Sequence, residues 1–167
     1  MNNTNLTTKV ERAISELRRG GKVVISDTNS GMYVLLMAAE LIEDETIKEI
    51  SQYTFSRPNI VLSGNRASTL GLNNNNHPCS ILIENQWSKD DIFSLCMPLF
   101  GHKRPLLNGV IIEKNKAVID ACLLLLRQAR LLPAALISII SNVIPENINQ
   151  WTYKHQFPQL DVIYIQS

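Results

Sequence analysis

The chain has 167 residues, 45% of them hydrophobic, so it is long enough for one domain with a real core and too short for two ordinary domains. Sixteen Lys and Arg residues oppose fifteen Asp and Glu residues, which leaves a formal net charge of +1. No global field therefore favours nucleic acid or an acidic membrane surface, and any anion has to be held locally. We expect a single domain over residues 1–167, with residues 1–8 flexible.

Three cysteines, Cys79, Cys96 and Cys122, are odd in number, lack metal-type spacing and lie in apolar surroundings typical of a core. The N-terminal residues are polar and lack a basic region followed by an apolar stretch, so we expect no secretory signal. The longest apolar run, residues 121–126, is far too short to cross a bilayer. These features predict a cytoplasmic location and no membrane partner.

The first half of the chain alternates helical and extended patterns. Apolar residues at helical spacing from Val10 to Leu17 predict an opening amphipathic helix, which Thr7 or Thr8 can cap and Gly20 can end. In order, we then predict a strand at 22–26, a turn at 27–31, an apolar segment at 32–39 that is too short for most helices, a helix at 43–53, a strand at 59–63, and a short helix capped by Asn65 and ending near 70.

The second half continues the same alternation after an exposed loop that four asparagines, residues 73–76, and Pro78 mark. Ser88 and Asp91 have the spacing of a reciprocal helix cap. We predict strands at 79–84, 109–113, 134–141 and 161–165, and helices from residue 88, at 117–130 and at 145–155. Strands interleaved with helices indicate the α/β (α+β) class, with a layered mixed sheet and helices packed on it.

The stretch from Phe100 to Asn142 contains Phe-Gly-His-Lys-Arg-Pro-Leu, Asn-Gly-Val-Ile-Ile, a leucine-rich run and Leu-Pro-Ala-Ala-Leu-Ile-Ser-Ile-Ile-Ser-Asn. This order resembles the C-terminal half of the 3,4-dihydroxy-2-butanone 4-phosphate synthase family, which makes a four-carbon phosphate from ribulose 5-phosphate in riboflavin biosynthesis. The opening helix and Met37-Ala38-Ala39-Glu40 extend the resemblance toward the N-terminus. The resemblance implies the layered fold of that family.

The same resemblance implies that most of the family's catalytic and metal-binding residues are replaced here. The synthases carry an Asp-Arg-Glu-x-Glu-Gly-Asp loop after the first strand, which supplies carboxylates for a divalent metal and for proton transfer. An ungapped count places residues 28–34 there, and none is acidic. The family's histidine ligand has no counterpart near Lys116 and Val118, its acid in Cys-Glu-x-x-Asn corresponds to Ile139, and a phosphate-side arginine corresponds to Ile92. We therefore expect no metal site and no cofactor.

The resemblance leaves a partial site. His102 matches the family's histidine loop and is the candidate catalytic residue. Lys103 and Arg104 beside it can bind a phosphate or carboxylate, although solvation explains them equally well. Asn142 matches the family's asparagine and is a further candidate ligand-binding residue. Asp27, also a candidate for ligand binding, is either a relocated ligand or base or, more simply, a turn residue that bonds its own backbone.

Several functions follow from this pattern. The first is a diverged relative that has lost the Mg-dependent reaction and acts as a small anionic metabolite-binding protein or a partner subunit. The second is a repurposed, metal-free enzyme that acts on a small phosphorylated or carboxylated substrate through His102. An active synthase with relocated ligands would need substitutes at three separate elements. We expect a homodimer, because residues 121–126 and 131–140 are more apolar than one small domain needs, and we expect no nucleic-acid partner.

Overall fold

A seven-stranded mixed sheet lies between two layers of helices in the computed structural model, which describes residues 3–165. The α-helices of the described residues are α1 Asn3–Arg18, α2 Thr46–Thr54, α3 Gly64–Thr69, α4 Lys89–Cys96, α5 Ala117–Gln128 and α6 Ile148–Lys154. The strands are β1 Val23–Asp27, β2 Met32–Ala38, β3 Asn59–Leu62, β4 Cys79–Leu82, β5 Val110–Ile112, β6 Ala134–Ile139 and β7 Gln159–Asp161. The predicted fold class is confirmed.

The strand order is β5-β4-β3-β6-β2-β1-β7, and every neighbouring pair is antiparallel except β1 with β7. Asp27 at the end of β1 pairs with Met32 at the start of β2, and Val34 pairs with Ile139 at the end of β6. The 27–32 turn and the end of β6 therefore lie at one end of the sheet, which we call the hairpin end.

Both faces of the central strands are buried, and this explains why β1 and β2 read as continuous apolar runs. Val23 and Ile25 of β1 pack with α1 and α5 on one face, whereas Val24 between them packs with the opposite core. That opposite core includes residues of α2, α4 and α6. Each fully buried aliphatic side chain of this size stabilises the fold by about 1.5–3 kcal/mol.

The apolar run of α5 is covered by the domain itself. Ala121, Cys122, Leu123, Leu125 and Leu126 are all buried in the core that α5 forms with α1 and the sheet. The surplus apolar surface expected here from the sequence therefore does not lie on α5. The homodimer itself stays a prediction.

Exposed apolar residues lie instead on β5, the edge strand farthest from β7. Val110, Ile111 and Ile112 are 38%, 59% and 39% exposed. Leu106 before this strand and Leu82 on β4 are also exposed. One side of β5 has no neighbouring strand among residues 3–165, so both its apolar side chains and its backbone hydrogen-bonding groups are available.

Local hydrogen bonds decide where several elements begin and end. The reciprocal cap of Ser88 and Asp91 is present, as predicted. Ser63, rather than the predicted Asn65, caps α3 by accepting a hydrogen bond from the Arg66 amide. The predicted strand at 161–165 is wrong, because the Asp161 carboxylate accepts from the Ile163 amide and starts a 3₁₀ turn.

The N-terminal helix is longer than its pattern indicated. It begins at Asn3, before the predicted caps Thr7 and Thr8, so residues 3–8 form its first turns. Residues 1 and 2 lie outside the described part of the chain, and the expected flexibility of residues 1–8 stays a prediction.

The three cysteines are buried, as predicted, and burial raises the pKa of the Cys96 thiol to about 12. Within residues 3–165, each helix is too short or too polar to cross a bilayer. A cytoplasmic location stays a prediction.

Candidate functional site

The turn between β1 and β2 holds the one acid of the predicted hairpin site. Asp27 is 9% exposed, and its Oδ2 accepts a hydrogen bond from Ser30 Oγ at 2.8 Å. Its backbone oxygen accepts from the Gly31 amide at 2.8 Å, and Gly31 has a φ of +73°, which favours glycine. This geometry is that of a turn residue, the simpler of the two interpretations of Asp27.

A second carboxylate, which the sequence analysis missed, lies beside the same turn. Asp161 of β7 pairs with Ser26 of β1, and its Oδ2 accepts from Ser26 Oγ at 3.1 Å and from the Thr28 amide at 3.3 Å. Its other oxygen caps the following 3₁₀ turn. An Asp that can cap a turn was visible in the sequence, but the parallel pairing of β7 with β1 was not.

The donors around this turn do not fit Mg²⁺. The ion requires a near-octahedral set of oxygen ligands, preferably charged. The turn offers the neutral Thr28, Asn29 and Ser30, then the thioether of Met32, while Asp27 accepts from Ser30 through Oδ2 and both carboxylate oxygens of Asp161 accept hydrogen bonds. In the described part of the chain, no group of three or more His, Cys, Asp or Glu side chains is placed to hold a metal ion.

Asn142 follows β6 at the hairpin end of the sheet, where it is exposed. The backbone before it is fixed, because the Ile140 amide donates to the Tyr33 oxygen at 2.9 Å and the Ser141 amide donates to the Thr54 oxygen at 3.0 Å. Ile139, at the position implied to carry an acid, is 48% exposed. The structure thus places Asp27 and Asn142 at one end of the sheet, with a solvent-facing apolar side chain beside them.

His102 lies in the loop after α4 and pairs with Asp91 of that helix. The distance from His102 Nε2 to Asp91 Oδ1 is 2.9 Å, and the His102 side chain is 39% exposed. A carboxylate can only accept, so Nε2 carries the proton and Nδ1 remains to accept or donate. Asp91 has the spacing of a cap in the sequence, whereas its contact with His102 is visible only in the fold.

Asp91 is held on both of its oxygens. Its Oδ2 accepts from the Ser88 amide at 2.8 Å, and its Oδ1 contacts His102. Desolvation by partial burial raises the pKa of the Asp91 carboxyl, but the hydrogen bonds from Ser88 and His102 and the charge of His102 together lower it below the ordinary value. Asp91 therefore remains a carboxylate that orients the His102 ring.

The two basic residues after His102 have different surroundings. The Arg104 guanidinium donates through Nη1 to the Leu70 oxygen at the end of α3, 3.3 Å away, whereas Lys103 is exposed. Phe100 braces the loop by an edge contact with Phe93, with ring centroids 5.8 Å apart. Within residues 3–165, no hydrogen bond or ion pair joins residues 102–104 to Asp27 or Asn142.

No protein-family model matches the chain, and no curated protein matches it significantly. Solved structures do match it. They include a two-domain 3,4-dihydroxy-2-butanone 4-phosphate synthase from A. baumannii, with a TM-score of 0.73 and 17% identity over 93% of this chain. The same enzyme of Candida albicans gives a TM-score of 0.71 and 19% identity, with 93% of this chain and 94% of that chain covered. A synthase in complex with two magnesium ions gives 0.70 and 15%, with 93% of each chain covered.

These likenesses establish that the chain has a fold like that of 3,4-dihydroxy-2-butanone 4-phosphate synthase, as the sequence resemblance predicted. The chain spans 56% of the two-domain protein from A. baumannii.

The Asp91 carboxylate predicts a pH-dependent contribution to stability. We expect Asp91→Asn to lower the free energy of unfolding at pH 7 by about 1 kcal/mol, because the helix loses its reciprocal cap and His102 loses a charged acceptor. A carboxyl whose pKa is lowered on folding stabilises the native state above its unfolded pKa of about 3.9, and this contribution is lost as pH falls through the lower native value. In urea unfolding experiments, the difference in unfolding free energy between the native chain and Asp91→Asn should therefore shrink between pH 5 and pH 3.

Asp90→Asn is the matched control, because Asp90 lies in the same first turn but is exposed and outside the reciprocal cap. Asp90→Asn should change the free energy of unfolding at pH 7 by less than half as much as Asp91→Asn does. An Asp91→Asn variant whose unfolding free energy follows that of the native chain in parallel down to pH 3 would contradict the assignment.

Proposed function

We propose that this protein keeps the synthase fold without the Mg-dependent synthase reaction, and that it binds a small anionic metabolite or serves as a partner subunit. The observation that carries the proposal is the set of side chains at the hairpin end of the sheet. Thr28, Asn29, Ser30 and Met32 occupy the turn whose counterpart supplies carboxylates in the synthases that the chain resembles. Phosphate-sugar rearrangement on a divalent ion has no suitable ligand set there.

The end of β6 supports the same proposal. General acid–base catalysis needs a titratable group within hydrogen-bonding distance of the substrate. Ile139 cannot supply one, and its side chain faces solvent at the position where the resemblance implies an acid. Ser138 of β6 and Thr54 at the end of α2 bond each other at 2.7 Å and are fully buried. They therefore contribute to packing instead of chemistry.

The loop at His102 supports the binding of an anion without a metal bridge. His102 has its Nδ1 free of the Asp91 contact, Lys103 is exposed, and Arg104 uses only one of its donors on the Leu70 oxygen. Gly101 to Arg104 are all exposed, so their donors are accessible from solvent. Charge-assisted hydrogen bonds to such an anion contribute about 1.5–3 kcal/mol each.

We also propose that the chain forms a homodimer through β5. The apolar side chains of Val110, Ile111 and Ile112 and the unpaired edge of this strand form a self-complementary surface, since an edge strand can pair antiparallel with a second copy of itself.

The first test of the proposal is an assay for the lost reaction. Purified protein incubated with ribulose 5-phosphate and Mg²⁺ should release no formate above the rate without protein, because the ligand set for the metal is absent. An active synthase run in parallel should release formate under the same conditions. Metal-dependent formate release at a rate comparable to that control would overturn the proposal.

A second test concerns anion binding at the loop. Calorimetric titration with a sugar phosphate should show that His102→Ala/Arg104→Ala binds at least tenfold more weakly than the native chain, because two donors to the anion are removed. The control is Lys48→Ala/Arg57→Ala, which removes one exposed Lys and one exposed Arg elsewhere. Equal affinities for all three proteins would contradict an anion-binding role for residues 102–104.

The dimer prediction is tested by light scattering at micromolar concentration. The native chain should have twice the monomer mass, and Ile111→Lys should have the monomer mass because it places a charge in the paired surface. Ile144→Lys is the matched control, since Ile144 is also 59% exposed but lies away from β5. A monomeric native chain would contradict the proposal, as would a dimer that Ile111→Lys leaves intact.

A further inference from the structure

A cleft lies at the β7 edge of the sheet, where α1 of one helical layer approaches α6 of the other. It has a volume of about 750 Å³, within the range of about 300–1,000 Å³ that small-molecule sites occupy. Its lining residues are Arg12, Glu16 and Arg19 of α1, and Tyr153, Lys154, His155, Gln156 and Phe157 at the end of α6. None of them belongs to the site at residues 102–104.

The charge of the cleft is strongly positive although the whole chain is nearly neutral. Three permanent cations, Arg12, Arg19 and Lys154, line it with a single acid, Glu16, which is paired with Arg19. Within residues 3–165, neither the Arg12 guanidinium nor the Lys154 ammonium group makes a hydrogen bond or an ion pair. Two cations that face a cavity without a protein partner favour an anion there. Lys9 lines the adjoining groove and adds a further positive charge.

Aromatic rings form the wall between these cations. Tyr153 is 86% exposed and lines both the cleft and the adjoining groove, as does Phe157. The Phe157 ring stacks on His155 with centroids 5.7 Å apart, and His155 meets Trp151 edge-on at 4.9 Å. The backbone of this wall is also fixed, because the Phe157 amide donates to the Thr152 oxygen at 3.1 Å. The cleft therefore combines fixed rings with cations.

We propose that this cleft is a binding site for a phosphomonoester that carries an aromatic ring, which is the chemistry of a nucleotide. Arg12 and Lys154 bind the phosphate dianion, and Tyr153 stacks on the ring of the ligand. A free sugar phosphate would satisfy the cations but leave the exposed Tyr153 ring uncovered. The nucleotide therefore fits both features of the cleft.

The cleft is separate from the loop at residues 102–104. That loop leads into β5, whereas the cleft adjoins β7, and the two strands are the opposite edges of the sheet. Six strand spacings of about 4.8 Å place these edges about 29 Å apart. Occupancy of the cleft can therefore be measured independently of the loop.

The test is calorimetric titration of the full chain with adenosine 5′-monophosphate at low salt. The native chain should give saturable binding, and Arg12→Gln/Lys154→Gln should bind at least tenfold more weakly. Both residues are exposed and unpaired in the described structure, so the variant should fold, which thermal unfolding checks. The control Lys48→Gln/Arg57→Gln carries the same change of charge and should bind as the native chain does.

Three further arms identify what is recognised. In the His102→Ala/Arg104→Ala background, where the loop no longer contributes, Tyr153→Ala should weaken binding of adenosine 5′-monophosphate but not of ribose 5-phosphate, because only the first ligand has a ring to stack. His102→Ala/Arg104→Ala should leave nucleotide binding unchanged. No saturable heat with the native chain, equal losses in the cleft and control variants, or tighter binding of a short single-stranded DNA than of the mononucleotide would each overturn the proposal.

Discussion

Burial of both faces of the central strands is the constraint on which the rest of this structure depends. β1, β2 and β6 have helices above and below, so their side chains must be apolar or fully hydrogen-bonded. Ser138 meets this condition through Thr54, whose hydroxyl also donates to the Ile50 oxygen at 3.0 Å. Polar chemistry is thereby confined to strand ends, sheet edges and loops, which is where every candidate site of this protein lies.

At the hairpin end, two carboxylates accept hydrogen bonds from the protein's own groups. Ser30 Oγ donates to Asp27, and Ser26 Oγ and the Thr28 amide donate to Asp161. Each carboxylate therefore has hydrogen-bond partners within its own turn or neighbouring strand. The strands below are stabilised by apolar packing, which does not depend on the residues in the turn. Likeness to a synthase fold therefore constrains the architecture far more strongly than the reaction.

The sequence allowed most of the architecture to be predicted, because hydrophobic periodicity and caps such as Ser88 with Asp91 are local signals. It failed where a distant contact decided the outcome. The closing strand was misplaced because Asp161 both pairs beside β1 and caps a turn. The partner of His102 was missed because that contact joins a loop to a helix 11 residues away. The apolar run of α5 indicates an interface in the sequence alone, because the sequence does not show that α1 and the sheet cover it.

The near-zero net charge of the chain is a poor guide to what it binds. Several acids pair with a basic side chain of the protein: Asp91 with His102, Glu16 with Arg19, and Glu49 with Lys22 at 2.9 Å. The cations left over are not spread evenly, since Arg12 and Lys154 meet at one cleft. Over a Debye length of about 8–10 Å at ordinary salt, a ligand senses this local excess and not the sum over the chain. The local charge of each surface therefore depends on which acids folding has already paired.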